Sequence, residues 1–120
     1  MSADAAPADC LFCKIVAGDV PADIVHRDER TLAFRDIAPK APTHVLVIPV
    51  AHTATIADTG RGDAALVGEL VATAAGIAAT DGVAESGYRL VFNTGADAGQ
   101  TVFHAHLHLL GGRALGWPPG

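Results

Sequence analysis

The 120-residue sequence predicts an α+β fold: an antiparallel sheet carrying one long helix and a short N-terminal one. Two patterns point there. Five short apolar stretches rich in β-branched residues are bounded by turn residues, and a single segment shows helical spacing. The order, a hairpin first and the helix later, favours antiparallel pairing. Half the residues are apolar, enough for one domain of this length to bury a core. Aromatics are only 5%, so Val, Ile, Leu and Ala must fill most of it.

Along the chain, Met1–Asp9 is small and partly acidic, with no positive or apolar region of a signal peptide. It is expected to be a disordered tail before a single domain over 10–120. Leu11–Val16 forms a short helical element stopped by Gly18. Ile24–Arg27 and Thr31–Asp36 are strands joined by the polar Asp28-Glu29-Arg30 turn. Pro39 and Pro42 make residues 38–43 a loop, because proline fixes φ and removes a donor. Val45–Ile48 reads as a central strand closed by Pro49. Asp63–Thr80 places Leu66, Leu70, Val71, Ala74, Ile77 and Ala78 on one helical stripe, with Asp63 at the start and Gly82 past the end. Tyr88–Phe92 is a fourth strand, and Val102–Leu110 a fifth that Gly111-Gly112 stops.

Charge narrows the partners. The net charge is −5, and Lys plus Arg number 8, so a long nucleic-acid backbone is not expected as partner. A small anion remains open, since backbone N–H groups and a few histidines hold one phosphate without a basic surface. No apolar run reaches the roughly 20 residues that cross a bilayer. A cytoplasmic protein with no membrane partner is expected.

Three of the six histidines fall in His104-Ala105-His106-Leu107-His108. In an extended segment alternate side chains share a face, so the three imidazoles line one surface while Ala105, Leu107 and Leu109 pack on the other. Rings about 6.5–7 Å apart suit a phosphate site or a metal face. A solvated strand edge fits the pattern too. Upstream, residues 93–101 form a loop with Gly95, Gly99, amides and hydroxyls, of the kind whose backbone N–H groups converge on an anion. Running into three same-face histidines, it favours phosphate chemistry. A neutral imidazole is nucleophilic near pH 7, and neighbouring ones can hold phosphoryl oxygens and protonate a departing amine.

The segment His104-Ala105-His106-Leu107-His108-Leu109-Leu110 resembles the signature of the histidine-triad (HIT) family, His-φ-His-φ-His-φ-φ with φ apolar. Residues 11–15, 33–37, 41–49, 99–103 and the tail from Gly111 to Trp117-Pro118-Pro119-Gly120 are also similar. The tail resembles the purine nucleoside phosphoramidase branch. That resemblance implies hydrolysis of nucleoside 5′-phosphoramidates through a nucleotidyl-His106 intermediate, with His44 and His108 flanking the phosphate. It implies that Asn93, Gly99, Gln100 and Thr101 contact ribose, phosphate or leaving group, serine being commoner at position 101. Phe12, Ile15, Phe34 and Ile37 would form the base slot, and Asp36 would accept from ribose hydroxyls. For each apolar residue, plain core packing is the alternative. The resemblance also implies a homodimer through the long helix and a continued sheet.

Cys10-Leu11-Phe12-Cys13 is a Cys-x-x-Cys pair, open to zinc, redox chemistry or two buried thiols. Two histidines would complete a tetrahedral Cys2His2 site. The resemblance implies His52 and His104 as partners of Cys10 and Cys13 around a structural zinc that catalysis does not need. Reduced, empty thiols are the alternative. His26 is expected to be a solvated hairpin residue. Beside the phosphoramidase stand a dinucleoside polyphosphate hydrolase, a nucleotide-binding scaffold with incidental activity, and a zinc-dependent structural module.

Overall fold

The computed structural model describes residues 7–120; of the expected N-terminal tail, residues 1–6 lie outside the described residues. The elements are α1 (Leu11–Ala17), β1 (Ile24–Arg27), β2 (Thr31–Arg35), β3 (Thr43–Pro49), α2 (Ile56–Gly62), α3 (Ala64–Thr80), β4 (Tyr88–Phe92) and β5 (Leu107–Gly111). The five strands form one antiparallel sheet in the order β1-β2-β3-β5-β4. The β1–β2 turn is tightened by Asp28, whose Oδ1 accepts from the Arg30 and Thr31 amides. His26 caps the same turn through its Nε2, 2.8 Å from Asp28 Oδ2.

β3 lies at the centre and all seven of its residues are buried. Alternation along it divides two apolar layers. Val45 and Val47 join Leu107 and Leu109 beneath Leu70, Ala74 and Ile77 of α3. Leu46 and Ile48 face the other way, against Phe12 and Ile15 of α1 and Phe34 of β2. His44 and His108, with the same parity as Leu46, are therefore carried on the α1 face. Leu46 pairs with His108 and His44 with Leu110, which sets the two rings diagonally across adjacent strands.

Three expectations are corrected. The last strand begins at Leu107 rather than Val102, because residues 101–106 leave the sheet to meet α1 and the segment after β3. One backbone bond of that excursion is Ala105 N–H to Thr53 O, 2.7 Å. A third helix, α2, stands where none was expected; its sequence IADTGRG has two glycines and little apolar spacing. The Thr55 cap on Asp58 N and a Thr53–Thr59 hydroxyl contact hold it instead. Val71, placed on the buried stripe of α3, is 38% exposed, whereas Leu66, Leu70, Ala74, Ile77 and Ala78 are buried. Asp63 caps α3 through Leu66 N–H as its position suggested.

Candidate functional site

His106 is buried, with Phe12 edge-on at 5.2 Å and His108 at 4.9 Å between ring centroids. The rings are closer than a regular strand would set them because residue 106 lies outside β5. His106 Nδ1 lies 2.7 Å from the backbone oxygen of His104. A carbonyl only accepts, so Nδ1 carries the proton and the neutral ring keeps its lone pair on Nε2. Burial holds the His106 pKa below the usual histidine range, so the ring is neutral near pH 7.

The same reasoning assigns the neighbours. The Lys40 amide donates to His44 Nδ1 at 3.0 Å, so the His44 proton sits on Nε2. That Nε2 lies 3.0 Å from His108 Nδ1 and 3.5 Å from the Asp36 carboxylate. His108 accepts at Nδ1 and carries its own proton on Nε2. Burial, helped by the neighbouring His106 and His44 rings, pushes the His108 pKa down to about 4. Burial also lowers His44, against the pull of Asp36. The site thus offers His106 and His108 as neutral imidazoles with defined tautomers, and His44 stands behind His108, outside the cleft lining.

A cleft of about 260 Å³ opens beside His106 and His108. Phe12, Ile15, Phe34, Asp36, Ile37 and Thr101 all line it. Phe12 and Phe34 are buried and stack edge-on at 5.4 Å, while Ile37 is 98% exposed and forms only the rim. Leu11, Val20, Pro21, Ala22, Arg35, Leu46 and Val102 complete the wall; periodicity alone assigns the apolar ones to core or loop, and no motif marks them. Asn93, Gly99 and Gln100 lie outside the lining. The Gln100 amide is spent on backbone: it donates to Ala54 O and Val102 O and accepts from Gly95 N–H. Gln100 therefore braces the loop that presents Thr101. A larger open groove of about 710 Å³ between α3 and β1–β2 contains none of the triad.

His104 turns away from this cleft. Its Nε2–H donates to Pro49 O at 2.8 Å, aiming the Nδ1 lone pair at Cys10, Cys13 and His52. The Cys10 Sγ–His104, Cys13 Sγ–His104 and Cys13 Sγ–His52 separations are 3.5, 3.5 and 3.4 Å, and the two Nδ1 atoms lie 3.2 Å apart. Tetrahedral zinc with Zn–S of about 2.3 Å and Zn–N of about 2.05 Å sets S···N at about 3.6 Å and N···N at about 3.3 Å. These four of the six separations match, and all four donor atoms lie within 4.8 Å of one another, so the group fits a zinc ion. Burial, then the hydrogen bond and charge of Cys10, push the Cys13 thiol up to about 12, so without metal it stays protonated. A second set, Asp36, His44 and His108, is also close enough to share an ion, but the His44 Nε2–H already fills that space.

A family model described as "HIT domain" matches residues 17–115. A purine nucleoside phosphoramidase from Escherichia coli is 46% identical over 108 residues, covering 90% of this chain and 91% of that protein. A crystal structure of a HIT family hydrolase from Legionella pneumophila superposes with a TM-score of 0.90 at 53% identity, covering 93% of this chain and all of the other. A Zn-bound histidine triad family protein from Mycobacterium smegmatis superposes at 0.78 with 39% identity, covering 88% and 76%.

Proposed function

We propose that this chain, which belongs to the HIT domain family, hydrolyses purine nucleoside 5′-phosphoramidates to the nucleoside monophosphate and amine. The observation that carries the reading is the His106 ring: neutral, its Nδ1 proton spent on a carbonyl, its Nε2 free beside an apolar slot. The phosphoramidase name of the Escherichia coli relative supports the substrate class.

In this mechanism the base lies between Phe12, Ile15 and Phe34, with Ile37 at the rim, and Asp36 accepts from the ribose. His106 Nε2 attacks the α-phosphorus, the P–N bond breaks, and a nucleotidyl-imidazole forms. His108 donates from Nε2–H to a phosphoryl oxygen, and Thr101 adds a hydroxyl at the cleft edge. The substrate's negative charge raises the pKa of the flanking histidines, so His108 takes a solvent proton at Nδ1 as its hydrogen bond from His44 opens, and its Nε2 proton leaves with the amine. Water then attacks phosphorus and passes its proton to His108 Nε2, and the P–His106 bond breaks. Asn93 and Gly99 act only where phosphate or leaving group extends past the cleft.

Cys10, Cys13, His52 and His104 would hold a structural zinc. With four protein ligands it leaves no position for water and serves to tie α1 to the segment bearing His106. Two copies of the chain would pair through α3 and the free edge of β4. The 38% exposure of Val71 and the unpaired second edge of β4 among the described residues support this. A sedimentation mass of one chain would refute it.

Steady-state hydrolysis of adenosine 5′-phosphoramidate by wild type and His106→Ala tests the assignment, with a diadenosine polyphosphate run alongside. Wild type should turn over the phosphoramidate, and the variant should bind AMP without turnover. Retained turnover in His106→Ala would sink the mechanism, and preference for the diadenosine substrate would reassign the leaving group.

A further inference from the structure

The hydrogen bonds behind His108 continue past His44 to the protein surface. His44 Nδ1 accepts the Lys40 amide, 3.0 Å away. That amide belongs to the loop of residues 36–42 between β2 and β3, which no sheet hydrogen bond holds at residue 40. Instead Arg113, just past β5, reaches across with two donors. Its Nε and Nη2 lie 3.0 and 2.9 Å from Lys40 O, while Nη1 holds Ala114 O at 2.9 Å. The loop is further braced by Pro42, whose Cβ lies 2.9 Å from where a Cβ on Gly112 would stand.

A neutral imidazole has one proton and two positions for it. With the Lys40 amide on Nδ1, His44 must donate from Nε2, and His108 must then accept at Nδ1 and keep its proton on Nε2. If the amide drifts away, His44 can carry its proton on Nδ1. Its Nε2 then accepts, His108 donates from Nδ1, and His108 presents a lone pair at Nε2. A lone pair repels a phosphoryl oxygen where an N–H attracts it. The Asp36 carboxylate, 3.5 Å from His44 Nε2, favours the same tautomer, so the position of the loop peptide shifts the balance that decides whether His108 is a donor.

We propose that Arg113 is a positioning residue for phosphoryl transfer: by clamping the Lys40 carbonyl it fixes the tautomer of His44 and, through it, that of His108. The inference deepens the phosphoramidase reading and rests on it for the part His108 plays. The side chain is on an exposed residue outside the cleft lining, so its removal should leave the fold intact.

The test is 15N-resolved NMR of the imidazoles in wild type, Arg113→Ala and Arg113→Lys, paired with phosphoramidate kinetics. In wild type, His44 and His108 should both show protonated Nε2. Arg113→Ala should populate the reversed tautomer at both rings and lower kcat about tenfold, the scale of one lost charge-assisted hydrogen bond, with KM and Tm little changed. Arg113→Lys, which keeps a donor, should recover part of both signals. Unchanged tautomers in Arg113→Ala would overturn the proposal, as would reversed tautomers with undiminished kcat. Wild type inactive on phosphoramidates would instead refute the substrate reading, and the tautomer shifts would still decide whether Arg113 controls the rings.

Discussion

Zinc should raise the melting temperature of this protein by about 10 °C, and the size of that shift follows from the site. Four of the six donor separations already stand within a few tenths of an ångström of tetrahedral values, and all four donors lie within 4.8 Å of one another, so loading needs little rearrangement. They come from α1 and its N-cap, from the residues after β3 and from the segment before β5, so unfolding separates the cysteine pair from the two histidines and the folded chain binds the metal far more tightly. At free zinc a hundredfold above Kd, that linkage contributes about 2.7 kcal/mol. An unfolding entropy of about 2.1 cal/mol/K per residue gives about 0.25 kcal/mol/K for 120 residues, hence the shift. Differential scanning calorimetry in chelator and across a zinc titration measures it, with metal content after dialysis as the stoichiometry. His52→Ala and Cys13→Ala should each abolish most of the response. Equal Tm in zinc and chelator, with no retained metal, would refute the argument.

Two further outcomes are expected. His108 is held near 4 by burial and its neighbours, while in the unfolded chain it titrates near 6.5. The unfolded state binds the extra proton between those values, so stability is undiminished above about 6.5 and declines as pH falls toward about 4. Chemical denaturation across that window checks the sign; rising stability would contradict it. Leu70→Ala, at a fully buried position under the sheet, should cost about 2–5 kcal/mol of stability, read from the urea midpoint. A loss below about 1 kcal/mol would show that the α3 layer repacks more freely than its burial suggests.

Much of the protein is legible in its residue order because the signals are local. The helical stripe of α3, the Asp63 cap, the Asp28 turn and the β-branched runs act over a few residues, where sterics and hydrogen bonding are strongest. The alternating histidines reveal an imidazole-lined surface for the same reason. Their division of labour is a tertiary matter. Residues 101–106 depart from the strand, so His104 turns to the cysteines while His106 and His108 meet the cleft. α2 forms from weak helix formers because Thr55 and Thr53 supply partners. Val71 and Ile37 are as apolar as their buried neighbours, yet among the described residues they stay 38% and 98% exposed. Gln100 is turned inward by three backbone groups that only the folded loop brings within reach. Residue types thus determine which chemistry is available. Which nitrogen bears the proton, and which ring faces phosphate or metal, depends on carbonyls and amides 2 to 73 residues apart in hydrogen bonds that the fold alone assembles.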